Sequence, residues 1–84
     1  YEGLVTVYLE YLDAFGGAIL DRDGRVTLDA EPAVDALAAM RHAVEVDAVP
    51  RAVLGWQEEQ TRFAFQNGQA AFMRNWPYAR PLLD

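Results

Sequence analysis

Apolar residues return at spacings of three and four through the start of the chain, at Leu4, Val5, Tyr8, Leu9, Leu12 and Phe15. That period predicts a helix over residues 1–15 with a broad apolar stripe. Val7 and Tyr11 widen the stripe, which implies cover on more than one side. Gly16-Gly17 ends the pattern, because glycine enters left-handed backbone without a β-carbon clash. Two short β-prone runs follow, Ala18-Ile19-Leu20 and Val26-Thr27-Leu28, joined through Asp23-Gly24. They predict a hairpin over residues 18–28, too small to stand without helices against it.

A second helix is expected over residues 30–47. Asp29 would be its N-cap, Glu31 and Pro32 its first turn, and Val34, Leu37, Met40 and Val44 its buried stripe. Pro50 forbids its continuation, and residues 48–55 read as a linker. A third helix is expected over residues 56–66, with Trp56, Phe63 and Ala64 inward and Asn67-Gly68 closing it. Residues 69–74 then read as a strand with apolar side chains on both faces, the pattern of an interior strand. Pro77 ends that strand, and a further helix over residues 78–83 is weakened by Pro81. The fold class expected is α/β, mostly helical with one core strand and a small β-hairpin. A lone interior strand needs neighbours that the chain does not visibly supply, so it reads as part of a larger protein.

Composition narrows the function. With 84 residues the chain is one small domain at most, burying roughly 60–65% of the surface its unfolded form exposes. It is 52% hydrophobic and carries ten aromatic side chains (four Phe, four Tyr, two Trp), which argues against disorder. The net charge of −6 offers no basic face for phosphates, so nucleic acid is not an expected partner. No cysteine is present, and no apolar run approaches the roughly 20 residues of a membrane span.

Most of the candidate chemistry fails on spacing. Aligning Gly24 with the glycine of a calcium loop puts Ile19 and Ala30 at the two anchor positions, so the ligand set fails and a solvated turn is preferred. His42 is the only histidine, serine is absent, and neither zinc nor a nucleophile–base pair has its residues. Glu58 and Glu59 are adjacent, so their side chains diverge by roughly 100° on a helix and do not form a glycosidase pair. No catalytic residue, metal or cofactor is expected.

Trp76-Pro77-Tyr78 is different. An indole face is flat and polarisable, and sugar rings present C–H patches that stack on such a surface. Pro77 confines Trp76 to extended backbone, which reduces the entropy lost on binding. Asn75 and Arg74 could direct donors to hydroxyls. The alternative is that Trp76 fills a core.

The run from Phe63 to Ala79, with its Asn67-Gly68 turn, small-residue strand and Trp-Pro-Tyr cluster, resembles the extracellular solute-binding proteins of ABC sugar importers. Tyr1-Glu2-Gly3-Leu4, Gly16-Gly17 and Asp23-Gly24 occur in the same order as in that family. The resemblance implies one partial lobe, of the C-terminal type, of a bilobal periplasmic-binding-protein fold. It further implies capture of a carbohydrate, by flavour a disaccharide such as trehalose or maltose. Delivery would be to a membrane permease, from an extracellular or periplasmic location, with a lipoprotein anchor as one form. Trp76 would be the stacking platform, and Tyr78, Asn75 and Glu2 hydroxyl or packing contacts. Tyr1 or Glu2 at the helix mouth could face the cleft, or could serve only the helix dipole and first-turn packing. Two rivals stand beside this: a lobe of a carbohydrate-active enzyme, and a helical interaction module with Trp56 and Trp76 both in its core.

Overall fold

The computed structural model describes residues 1–83. Four α-helices and one 3₁₀ turn follow in order: α1 (Glu2–Ala14), α2 (Glu31–Glu45), the 3₁₀ turn (Arg51–Gly55), α3 (Glu58–Gln66) and α4 (Ala79–Leu82). The chain divides into two compact units, Tyr1–Arg51 and the residues from Ala52 onward.

The first unit is a helical pair. Leu12 of α1, 2% exposed, sits with Ala33 and Ala36 of α2, and Tyr8 and Tyr11 pack against that cluster. The Tyr8 hydroxyl donates to the Ala33 carbonyl at 3.0 Å, tying the helices together. Small residues on α2 let the backbones approach closely enough for a single leucine to fill the seam. The buried face of α2 therefore differs from the expected one. Met40 and Val44 are half-buried, but Val34 and Leu37 are 56% and 58% exposed. They stand one position beyond Ala33 and Ala36, about 100° around the helix. On α1, Leu4, Val5, Leu9 and Phe15 are likewise exposed in this chain.

Both ends of α1 and α2 follow from local chemistry. Gly16, at φ +79, and Gly17 close α1 by donating to the carbonyls of Asp13 and Leu12 at 2.9 Å each. That is the paired bond of a Schellman stop. A β-carbon on Gly17 would press on Leu12 and Pro32, so this glycine also permits close packing. Asp29 is not the cap of α2. Ala30 holds that position in extended backbone, its carbonyl accepting from Ala33 and Val34, with Pro32 in the first turn. At the far end Asp47 takes the left-handed conformation, φ 58, in place of a glycine.

Between the helices the expected hairpin is reduced to one antiparallel bridge, Leu20 to Val26. The Asp21 carboxylate closes its loop by accepting from the N–H groups of Asp23 and Arg25 at 2.8 and 2.9 Å. With so few backbone pairs, two continuous strands do not form.

The second unit contains α3 and α4. Gln60 Oε1 accepts from the Gln57 N–H at 3.1 Å and so starts α3 two residues later than Trp56. Gly68 (φ +78) and Gln69 donate to Phe65 and Ala64 and end it with a second Schellman stop. Ala64 and Ala79 are buried, Trp56 is half-buried, and Phe63 is exposed. Residues 69–74 form no strand, and no strand occurs among the described residues. Phe72 is 92% exposed, so the expected interior strand has neither hydrogen-bonding neighbours nor cover here. A run patterned for burial on two faces stays irregular and forms no strand when no sheet edge lies beside it.

Candidate functional site

The residues that follow this irregular run are held by α3. Asn75 is half-buried; its Nδ2 donates to the Glu58 carbonyl at 3.0 Å. Its Oδ1 accepts the backbone N–H of Trp76 at 2.8 Å. Pro77 follows, and the chain turns into α4 with Ala79 N–H bonded to the Trp76 carbonyl at 3.1 Å. The Trp76 indole is 48% exposed, with its backbone fixed on both sides. In this chain it is not enclosed as a core tryptophan would be.

Tyr78 is tied to the same helix through its hydroxyl, which donates to Glu59 Oε1 at 2.7 Å. The other Glu59 oxygen pairs with Arg62 Nη2 at 2.6 Å, and Arg62 Nη1 reaches Gln66 Oε1 at 2.8 Å. The Arg62 side chain is only 11% exposed, and its guanidinium carbon lies 4.5 Å from the centre of the Phe63 ring. The titration of these groups follows from the contacts. Arg62's hydrogen bond first, and Tyr78's second, hold the Glu59 carboxyl below its usual range. The same Glu59 bond pushes the Tyr78 phenol up to about 12, because losing its proton would set two anions against each other. Glu59 in turn raises Arg62 further.

In the sequence Glu59 reads only as half of an adjacent, diverging pair, and neither Arg62 nor Gln66 stands out. The available signal was their spacing. Residues 59, 62 and 66 recur at three and four on one helix face, the geometry for a side-chain relay.

The first unit holds the other two expected residues. Glu2 is the first residue of α1, exposed, an acid where the helix dipole favours one. Tyr1 is the residue before it and half exposed. Its phenol ring lies back over Gly3, in the space a β-carbon at that position would need, and Gly3 is buried beneath it. Thus Asn75, Trp76 and Tyr78 share one local framework, and Tyr1 and Glu2 share another. Arg74 is exposed. His42 lies exposed in the last turn of α2, and among the described residues no group of His, Asp or Glu is arranged to hold a metal ion.

No family model matches the chain. It is 45% identical over 80 residues, 94% of its length, to a protein of Deinococcus radiodurans described as a probable ABC transporter-binding protein. Its structure matches that of the maltose-bound T. maritima MalE3 with a TM-score of 0.92 and 49% identity, over 99% of this chain. The chain spans about a fifth of each, 19% of the first and 22% of the second. The resemblance to ABC-transporter solute-binding proteins read from the sequence is therefore real in both sequence and fold.

Proposed function

We propose that this chain forms part of one lobe of a carbohydrate receptor serving an ABC importer, and that Trp76 supplies a stacking wall for the sugar. The observation that carries the reading is the half-exposed Trp76 ring on a fixed backbone, within a segment 49% identical to a maltose-bound protein. A tethered aromatic plate meets a sugar's C–H face at little entropic cost. The ligand class is a small oligosaccharide, with a disaccharide such as maltose as the first to test. Glu2 and Tyr1, at the mouth of α1, are candidate polar and aromatic contacts. Capture would be non-catalytic, in keeping with a relative described as a transporter-binding protein and a structural neighbour with maltose bound. The bound sugar would pass to a membrane permease, with the receptor outside the cytoplasm, anchored as a lipoprotein or free.

The ligand's second wall and its remaining hydroxyl contacts belong to the four-fifths of the matched length that this chain does not span. Isothermal titration with maltose separates the parts. The full-length binding protein should bind with micromolar or better affinity, and the 84-residue chain weakly or not at all. Micromolar affinity in the short chain would overturn the half-site picture, and no affinity for any disaccharide in the full-length protein would overturn the receptor reading.

A further inference from the structure

The two residues flanking the Trp76-Pro77 pair are bonded to consecutive residues of α3. Before it, the half-buried Asn75 amide grips the Glu58 carbonyl at 3.0 Å while its oxygen takes the Trp76 N–H at 2.8 Å. After it, the Tyr78 hydroxyl is fastened to Glu59 at 2.7 Å. Glu59 is not a loose surface acid. Arg62 holds its second oxygen at 2.6 Å, and Arg62 is itself largely covered and anchored to Gln66.

From this arrangement we propose that Glu59 and Asn75 are positioning residues, clamping the segment 75–78 to the first turn of α3 so that the Trp76 plate is preset for its ligand. The inference rests on the reading of Trp76 as the stacking wall and adds to it the device that fixes the wall.

The clamp also reassigns two candidate contacts. Asn75 spends its amide inside the protein, the nitrogen on the Glu58 carbonyl and the Met73 sulfur and the oxygen on the Trp76 N–H. Tyr78 spends its only donor on Glu59 and keeps acceptor lone pairs alone. A sugar hydroxyl meeting Tyr78 must therefore donate to it. A carbohydrate whose group at that place can only accept is disfavoured, since it would face an acceptor with an acceptor. Tyr78 thereby becomes a filter on the ligand's hydrogen-bond polarity.

Arg62 sets the strength of the Glu59 end. Its guanidinium bonds most closely to one carboxylate oxygen, at 2.6 Å, and reaches the other only at 3.3 Å, where the phenol makes the shorter bond at 2.7 Å. Glutamine at position 59 keeps the shape but loses the charge that holds both partners. Phenylalanine at position 78 keeps the ring and removes the hydroxyl, and with it both the bond to Glu59 and the lone pairs open to a ligand.

The test combines Trp76 mobility with binding. Indole N–H relaxation of Trp76, in a Trp56→Phe background, is measured on this chain for the parent, Glu59→Gln, Tyr78→Phe and the double variant. Maltose affinity is measured on the full-length binding protein with the same changes and with Trp76→Ala. The clamp predicts a more mobile indole in each single variant and affinity weakened about two- to tenfold, the range expected when one side chain must be ordered on binding. The double variant should be no worse than Tyr78→Phe alone, because Glu59→Gln then acts on a link already cut. Helix content by circular dichroism should not move. An indole whose relaxation is unchanged in all three variants overturns the clamp, as does additive loss in the double variant. If Trp76→Ala leaves maltose affinity intact, the stacking reading fails separately, and the clamp is still decided by the mobility data.

Discussion

Replacing Leu12 by alanine tests how the first unit is held together. Leu12 is the one large side chain fully buried among the described residues, set with Ala33 and Ala36 and packed by Tyr8 and Tyr11. Removing three carbons at roughly 0.8 kcal/mol each gives about 2.4 kcal/mol of lost transfer energy. The cavity adds to this, and measured Leu→Ala costs run from about 2 to 5 kcal/mol. The tyrosines are only half-buried and can settle into the space, so about 3 kcal/mol is expected. A unit of this size holds on the order of 2.5–7.5 kcal/mol in all. Leu12→Ala should therefore leave it close to unfolding. Val34→Ala is the paired control. The apolar period put Val34 in the core, whereas the structure leaves it 56% exposed, so its truncation should cost about 0.5 kcal/mol. Urea unfolding followed by far-ultraviolet circular dichroism compares the two. Trp56 and Trp76 both lie in the second unit, so tryptophan emission reports that unit apart from the first. Equal losses in the two variants would refute the alanine seam and restore the stripe of Val34 and Leu37.

Two other changes bear on particular residues. Asp47→Gly should stabilise the chain by about 0.5–1 kcal/mol in urea unfolding, since it relieves the left-handed strain at φ 58; a loss of similar size would contradict that account. The Tyr78–Glu59 bond makes opposite demands at the two ends of the pH scale. Glu59 titrates below its ordinary 4.5, so its contribution is present above that value and is lost as pH falls through the lower folded value. Tyr78 titrates at about 12, so its contribution is complete below the ordinary 10.0 and is lost as pH rises through about 12. A difference absorbance titration of the parent against Tyr78→Phe should show one phenol ionising near 12, and a difference transition near 10 would remove the bond from solution.

What the sequence made legible was punctuation and order. Gly16-Gly17 and Asn67-Gly68 could be read as stops because the φ values they adopt are open chiefly to glycine. The apolar period located the helices and the half-buried Met40 and Val44 but misplaced Val34 and Leu37, because alanines carry little weight in such a pattern and here they form the seam. The strand expected at residues 69–74 depends on partners from elsewhere, so a pattern for two-sided burial ends as irregular chain with Phe72 in solvent. At the candidate site, Trp76-Pro77-Tyr78 announced itself by its rigidity. Glu59 did not, because its partner Tyr78 lies 19 positions away and only the fold brings them together.

A preset stacking face at Trp76 must respond optically when a carbohydrate settles on it. A full-length binding protein carrying this segment, with Trp56→Phe and any tryptophan outside the segment also changed to Phe, leaves Trp76 as the sole reporter. Titrating it with maltose should shift the Trp76 emission and saturate with the same midpoint as the calorimetric isotherm. Maltose bound by calorimetry with the Trp76 emission unmoved would contradict the account.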